Sequence, residues 1–388
     1  MNDHFSLSSS SILHLTDISF SQLPPELQLQ KLNAQQVRLT FTNSSKLKQF
    51  LAEYLKKFNN PQGEALDLSF LDMSHLKDID YLFCNSTYAQ NIKSGYLDVL
   101  VSSKPASPSL NLDFASWDLS NIESMQGTFA GCAIYSDLGQ LNVSQVKSMR
   151  ALFYRTKARG KQELGNWDVA QVQDMSYLFA AAQFEELGSI ANWKVSQVTN
   201  MSYMFASMQN FNQDLNSWKV GQVRDMSWMF YQANAFNGNI QAWEVSQVTS
   251  MSGMFNQATA FNQDLSKWNV EKVEDMSGMF FAATSFNQDI GKWNVSKVTQ
   301  MSSMFYGASA FNQDLSSWDV SQVQEMSYMF AEASSFNQDI SNWNIAQVKD
   351  MRQMFAGATA FNQDLSHWPI SEEPQDFTDE EYLWDEEE

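Results

Sequence analysis

Tryptophan returns every 25 residues in this chain, at Trp193, Trp218, Trp243, Trp268, Trp293, Trp318, Trp343 and Trp368. Methionine keeps the same step at Met201, Met226, Met251, Met276, Met301, Met326 and Met351. So does phenylalanine, at Phe211, Phe236, Phe261, Phe286, Phe311, Phe336 and Phe361. Upstream the step loosens: Trp167 precedes Trp193 by 26, Leu141 holds a tryptophan position, and Trp117 comes 24 before Leu141. The segment "LDMSHLKDIDYLF" from Leu71 to Phe83 keeps only the pattern. A period of this length gives about eleven units and marks a solenoid. One such unit cannot bury its own apolar face, whereas stacked units share a continuous core.

Inside a unit the apolar spacing changes character. In "VTNMSYMFASM", Val198, Met201, Met204, Phe205 and Met208 recur at three or four residues, which predicts one face of a short helix. In "FNQDLNSW", Phe211 and Leu215 are an even number apart, which predicts a short strand. The expected fold class is therefore an α/β repeat solenoid with one short parallel strand and one short helix per 25-residue unit. Right-handed crossover is the default for such a coil.

The string W-[DN]-V-S-x-V-x-x-M-S-x-M-F-x-x-A-x-x-F-N-Q-D-[LI] resembles the repeat of BspA-like leucine-rich-repeat surface proteins, a divergent type also frequent in mycoplasma lipoproteins. Matching residues run from about Leu71 to Trp368. The resemblance implies a leucine-rich-repeat-like right-handed coil, bacterial surface display, and adhesion, virulence or protein binding, with no catalytic residues. "SSKLKQFLAEYLKKF", Ser44 to Phe58, resembles the short helix that opens such arrays.

Three segments follow from where the repeat begins and ends. Residues 1–70 form an N-terminal cap with a helix near 44–58, and residues 71–370 form the solenoid. An irregular insertion lies near 84–112, its Ser/Pro-rich part a surface loop. Residues 371–388 form an acidic tail, "SEEPQDFTDEEYLWDEEE", with ten carboxylates and no base, half of the net charge of −20. Such a charge repels nucleic-acid backbones and anionic lipid, so a nucleic-acid partner is not expected, and with no uninterrupted apolar run near ~18 residues neither is membrane insertion. The N-terminus has no basic start, solid apolar block or small-residue cleavage site, so no Sec signal is expected. Two cysteines, Cys84 and Cys132, in unlike contexts exclude a disulfide framework.

Chemistry finds little to use. His4, His14, His75 and His367 are scattered, and no nucleophile–base pair, His-rich metal spacing or phosphate-cradling glycine loop is present. No catalytic residue, metal site or cofactor is expected. The column Asp214, Asp264, Asp289, Asp314, Asp339 and Asp364 stacks carboxylates about 4.8 Å apart, repelling by about 3.5 kcal/mol at an effective dielectric of 20. It is either a turn-capping ladder or a row of weak Ca²⁺ sites, the latter supporting a calcium-dependent carbohydrate binder. The asparagines Asn212 to Asn362 read as a structural ladder, and the methionines as core filler.

Variation is confined to a few positions. In "M-S-x-M-F-x" the two x residues fall opposite the Met/Phe face, and Tyr203, Trp228, Tyr231, Phe281, Tyr306 and Tyr328 there predict an exposed aromatic strip, with Tyr154 and Tyr177 as an extension. Binding surfaces favour such side chains, although they also serve to cover neighbouring coils. The tail offers Phe377, Tyr382 and Trp384 among its acids. The expected function is a non-catalytic scaffold binding a protein partner, as a bacterial surface-type or host-interaction protein. The alternative is a secreted effector or intracellular inhibitor that binds a basic protein through the solenoid face or the tail.

Overall fold

The structure is a computed structural model that describes residues 12–84, 86–95, 97, 108–115, 117–366 and 368. It has two compact units, Met1–Gln197 and Val198–Glu388.

The first unit opens with β1 (Leu13–Thr16), α1 (Pro25–Gln28), β2 (Val37–Thr40) and α2 (Ser44–Phe58), followed by β3 (Leu66–Asp67) and β4 (Leu71–Asp72). Asn43 caps α2, its side chain accepting from the Lys46 N–H at 3.0 Å, and Lys56 and Lys57 occupy the last turn, where cations suit the helix dipole. Leu47, Phe50, Leu51 and Tyr54 form its buried face, and Phe50 and Tyr54 pack edge-on against Phe70. β1, β2 and β4 pair in parallel, Leu13 opposite Val37 and Leu39 opposite Leu71. The insertion near 84–112 is corrected in part: it carries α3 (Ser86–Ser94), which buries Ala89 and Ile92, before β5 (Ser109–Leu110) and β6 (Leu112–Asp113). β7 (Ala133–Ile134), β8 (Lys157–Lys161) and β9 (Gln183–Glu186) then extend a parallel sheet in the order β5-β7-β8-β9. Ala133 faces Lys157 and Lys157 faces Gln183, steps of 24 and 26 that match the loosened period.

Among the described residues of the second unit the tandem coils are parallel but contain neither the expected helix nor the expected strand. The segment Met226–Ala233 shows why. The N–H groups of Met226, Trp228, Phe230 and Gln232 donate to the carbonyls of Ser250, Ser252, Met254 and Asn256 in the next coil, at 2.8–3.1 Å. Between them, Met229, Tyr231 and Ala233 donate back three residues to Met226, Trp228 and Phe230. Every second N–H thus closes a turn and every other one ties two coils. The three-to-four spacing of Met and Phe arises from this row of turns, and a helix would have spent all of those donors within the coil. Left-handed residues make it possible: φ is +59° at Trp228 and +54° at Gln232, and the same two columns are left-handed in coil after coil. One-residue parallel bridges mark the ladder, Asn200 to Asp225, Ser250, Asp275, Gln300, Glu325 and Asp350 in turn. The strand expected at Phe211–Leu215 is corrected too, since that segment is irregular and the bridges lie just before the methionines.

The core is the set of repeated columns. Phe205, Phe230, Phe255, Phe280, Phe305, Phe330 and Phe355 stack with centroids 5.5–5.8 Å apart. Phe211 to Phe361 form a second column at 5.9–6.1 Å. The indoles are buried and near-parallel, as Trp218 and Trp243 are at 4°. Trp167, Trp193, Trp243, Trp268, Trp293, Trp318, Trp343 and Trp368 donate their indole N–H to a backbone carbonyl, Trp243 to Leu215 at 2.9 Å and Trp293 to Leu265 at 3.0 Å, whereas the buried Trp117 N–H has no acceptor. Buried indole N–H groups usually find such a partner.

Candidate functional site

The variable positions sit on the turn row, and its backbone decides where their side chains go. The first x column (Tyr203, Trp228, Gly253, Gly278, Ser303, Tyr328, Gln353) is left-handed throughout, with φ between +49° and +60°. A non-glycine residue there carries a cost of about 1–2 kcal/mol, relieved at Gly253 and Gly278. The Trp228 indole lies against Gly253, and Tyr203 stacks on Trp228 at 6.0 Å and 9°. Tyr231 meets the same indole edge-on at 5.3 Å. In the second column Phe281 stacks on Tyr306 at 4.6 Å and 6°. Burial raises the pKa of the Tyr306 phenol.

The expected exposed strip is therefore corrected to two half-buried clusters, Tyr203–Trp228–Tyr231 and Phe281–Tyr306, with the half-buried Tyr328 near enough to Tyr306 to contribute to its raised pKa. Gly253, Asn256, Gly278 and Ser303 interrupt the columns between them. Tyr154 is a core residue, 1% exposed, and Tyr177 lies half-buried under the Arg150 guanidinium, 5.3 Å from its ring. Phe377, Tyr382 and Trp384 lie outside the described residues, as does His367.

The Asp column caps turns. The Oδ1 atoms of Asp214, Asp264, Asp289, Asp314, Asp339 and Asp364 each accept the backbone N–H two residues on, at 2.8–2.9 Å. Hydrogen bonds from Ser266 and Ser316 hold the Asp264 and Asp314 carboxyls below the ordinary carboxylate range. The residues after the tryptophans do the same work, Asn269, Asn294 and Asp319 accepting from residues 271, 296 and 321. Each asparagine of the other column from Asn212 to Asn337 accepts the N–H of its counterpart one coil later, as Asn287 does from Asn312 at 3.0 Å, where it also accepts the Gln313 side chain at 2.8 Å. Among the described residues no three His, Cys, Asp or Glu converge as a ligand set. No helix among them is long and apolar enough to cross a membrane.

The sequence reading missed a cavity of about 240 Å³ in the first unit, lined by Ser44, Lys48, Asp78, Asp80, Tyr81 and Lys93, because those residues come from three separate segments. Its polar groups are engaged. Ser44 donates to Asp78 at 2.7 Å, Asp80 accepts from the Ser124 hydroxyl and the Gln126 N–H, and the Lys93 ammonium lies 4.9 Å from the Tyr81 ring centroid. Lys48 donates to the Tyr81 and Cys84 carbonyls, which join α2 to the first coil. Burial lowers the Lys48 pKa and raises that of Asp80. Cys84 and Cys132 are buried free thiols, and burial pushes Cys84 up to about 12.

No curated protein matches the chain, and no solved structure does. One family matches five times in tandem, over residues 52–161, 103–187, 156–251, 199–314 and 289–379. With coverage from 52 to 379 of 388 residues, this chain belongs to the family described as "Mycoplasma protein of unknown function, DUF285".

Proposed function

We propose that this repeat protein is a non-catalytic scaffold that binds another protein through the aromatic clusters of its second unit. One observation carries the reading. In an array whose core columns barely change, large aromatic side chains gather at the two columns free to vary, and they remain half-exposed there. Rigid aromatics at partly open positions are the side chains that dominate protein interfaces. Catalysis is not proposed, because the repeated carboxylates already accept backbone N–H groups.

The finer assignment is a BspA-like, right-handed leucine-rich-repeat-type coil serving bacterial surface adhesion or host interaction. It rests on the motif resemblance given above. A second reading, a secreted effector or intracellular inhibitor of a basic protein, draws on the ten carboxylates of Ser371–Glu388.

Affinity capture from target-cell surface extract with the full chain tests the proposal against a Trp228→Ala, Tyr231→Ala double variant. Loss of the captured protein at unchanged melting temperature supports the clusters. Equal capture by the double variant overturns them, and capture lost only when the tail acids are neutralised favours the second reading.

A further inference from the structure

The first variable column recurs in both units, and in the first unit its tyrosines already carry cations. The Lys93 ammonium lies 4.9 Å from the Tyr81 ring centroid, and the Arg150 guanidinium 5.3 Å from that of Tyr177. Arg150 directly follows Met149, one coil before Tyr177, and the column residue of its own coil is the small Ala151, at φ +52°. From there the guanidinium reaches two groups at once. It lies over the Tyr177 ring and donates to the Ser176 hydroxyl at 3.0 Å.

The same arrangement returns at Tyr328 with its cation missing. In the repeat register Tyr328 stands where Tyr177 stands, Ser327 where Ser176 stands, and Ser303 where Ala151 stands. The backbones agree, with φ +57° at Tyr328, +56° at Tyr177 and +54° at Ser303. The Ser303 N–H donates to the Ser327 carbonyl at 2.8 Å, as that of Ala151 does to Ser176. The position that answers to Arg150, however, is Ser302. Among the described residues no cation lies over the Tyr328 ring. Ser327 is 8% exposed, and its hydroxyl has no hydrogen-bond partner among them.

A nearly buried hydroxyl beside a bare aromatic ring calls for a donor that is also a cation. The surroundings favour one. Glu332 is exposed and close enough to Tyr306 to add, after burial, to the rise in that phenol's pKa. Its carboxylate joins no ion pair among the described residues. From Val198 to Trp368 the chain has eight Lys or Arg against fifteen Asp or Glu, so a basic partner is the complementary one. Residues 369–388 contain no Lys or Arg and so cannot supply the cation. A guanidinium suits the place better than an ammonium. It is planar, stacks on a ring, and keeps a fork of donors for a hydroxyl and a carboxylate.

We infer that Tyr328, Ser327 and Glu332 form a seat for an arginine side chain of a protein partner. The guanidinium lies on the Tyr328 ring, donates to the Ser327 hydroxyl and pairs with the Glu332 carboxylate. This rests on the protein-binding function proposed above and names the partner's chemistry, a basic segment that carries arginine.

Calorimetric titration of the full chain with two capped peptides of equal charge, one of five Gly-Arg repeats and one of five Gly-Lys repeats, tests it. The arginine peptide is expected to bind about fivefold or more tightly than the lysine peptide, which matches only the charge. Ser302→Arg fills the seat from within, as Arg150 does at Tyr177, and should abolish that preference. Tyr328→Leu should abolish it by removing the ring, and the melting temperature of each variant reports its fold. Equal binding of the two peptides by the unmodified chain overturns the inference, and so does failure of both to bind. A preference that survives in either folded variant overturns it too. A partner captured through Trp228 and Tyr231 but held equally well by Ser302→Arg overturns this inference alone and leaves the binding proposal in place.

Discussion

A side chain added to Gly253 would come within 2.4 Å of the Trp228 indole. The glycine therefore does two things, adopting φ +60° and leaving room for the aromatic ring of the neighbouring coil. Gly278, one coil on, has φ +58° but meets only ordinary contacts, the Asn256 side chain at 3.4 Å and the Phe281 Cβ at 3.9 Å. The pair separates strain from collision. Gly278→Ala is expected to cost about 1 kcal/mol through backbone strain alone, and Gly253→Ala distinctly more. Equilibrium urea unfolding measures both, and Trp228 fluorescence should shift only in Gly253→Ala.

The indole of Trp293 is 3% exposed and donates to the Leu265 carbonyl at 3.0 Å. Trp293→Phe keeps an aromatic in the column but removes one of the two donors to that carbonyl, which keeps the Trp268 N–H at 3.0 Å, and opens space beside it. A loss of about 1–3 kcal/mol is expected from the lost hydrogen bond and the small cavity together. Denaturant titration with an unchanged m-value would show that the loss is one of stability.

Asn287 serves two donors at once, the Asn312 N–H and the Gln313 side chain. Asn287→Ala should cost about 1–2 kcal/mol, because both donors lose their partner at a part-buried site. Asn287→Asp keeps the acceptor oxygen and should recover most of that at neutral pH. The readout is the shift in the unfolding midpoint of the two variants.

Asp17 has its pKa lowered from 3.8 to about 2 by the Lys46 ammonium, 2.7 Å away, and by the Thr42 N–H and hydroxyl. A depressed carboxyl contributes stability that is complete above its unfolded pKa and is lost as pH falls through the folded one. The first unit should therefore weaken as pH falls from about 4 to about 2. Asp17→Asn should flatten that part of the profile, as thermal melting at stepped pH will show.

Much of the second unit was legible in the residues themselves. The 25-residue step placed Trp, Met and Phe on shared columns and the asparagines read as a ladder, as the Asn287 distance shows, while the Asp column was left between turn caps and calcium sites until the Asp264 bond showed a turn cap. The helix expected at Val198–Met208 was not there to be read. Turns closed every second residue give the same three-to-four apolar spacing as a helix, so periodicity alone cannot separate them. A signal did exist, glycine recurring at two columns four apart (Gly253 and Gly278, Gly307 and Gly357), where the backbone is left-handed. The aromatic strip failed for a related reason, since a helical wheel gave Tyr203 and Trp228 the direction of an outward helix face.

The sequence by itself determined that this chain stacks. A side chain repeated at one interval must meet its own copies, and large apolar groups can leave water only between neighbouring coils. Only the tertiary structure decided where each backbone N–H donates, because a donor at Phe230 chooses between its own coil and Met254 of the next only when the next coil is in place. That choice replaced helix with turn ladder and left the two aromatic clusters half-exposed along it.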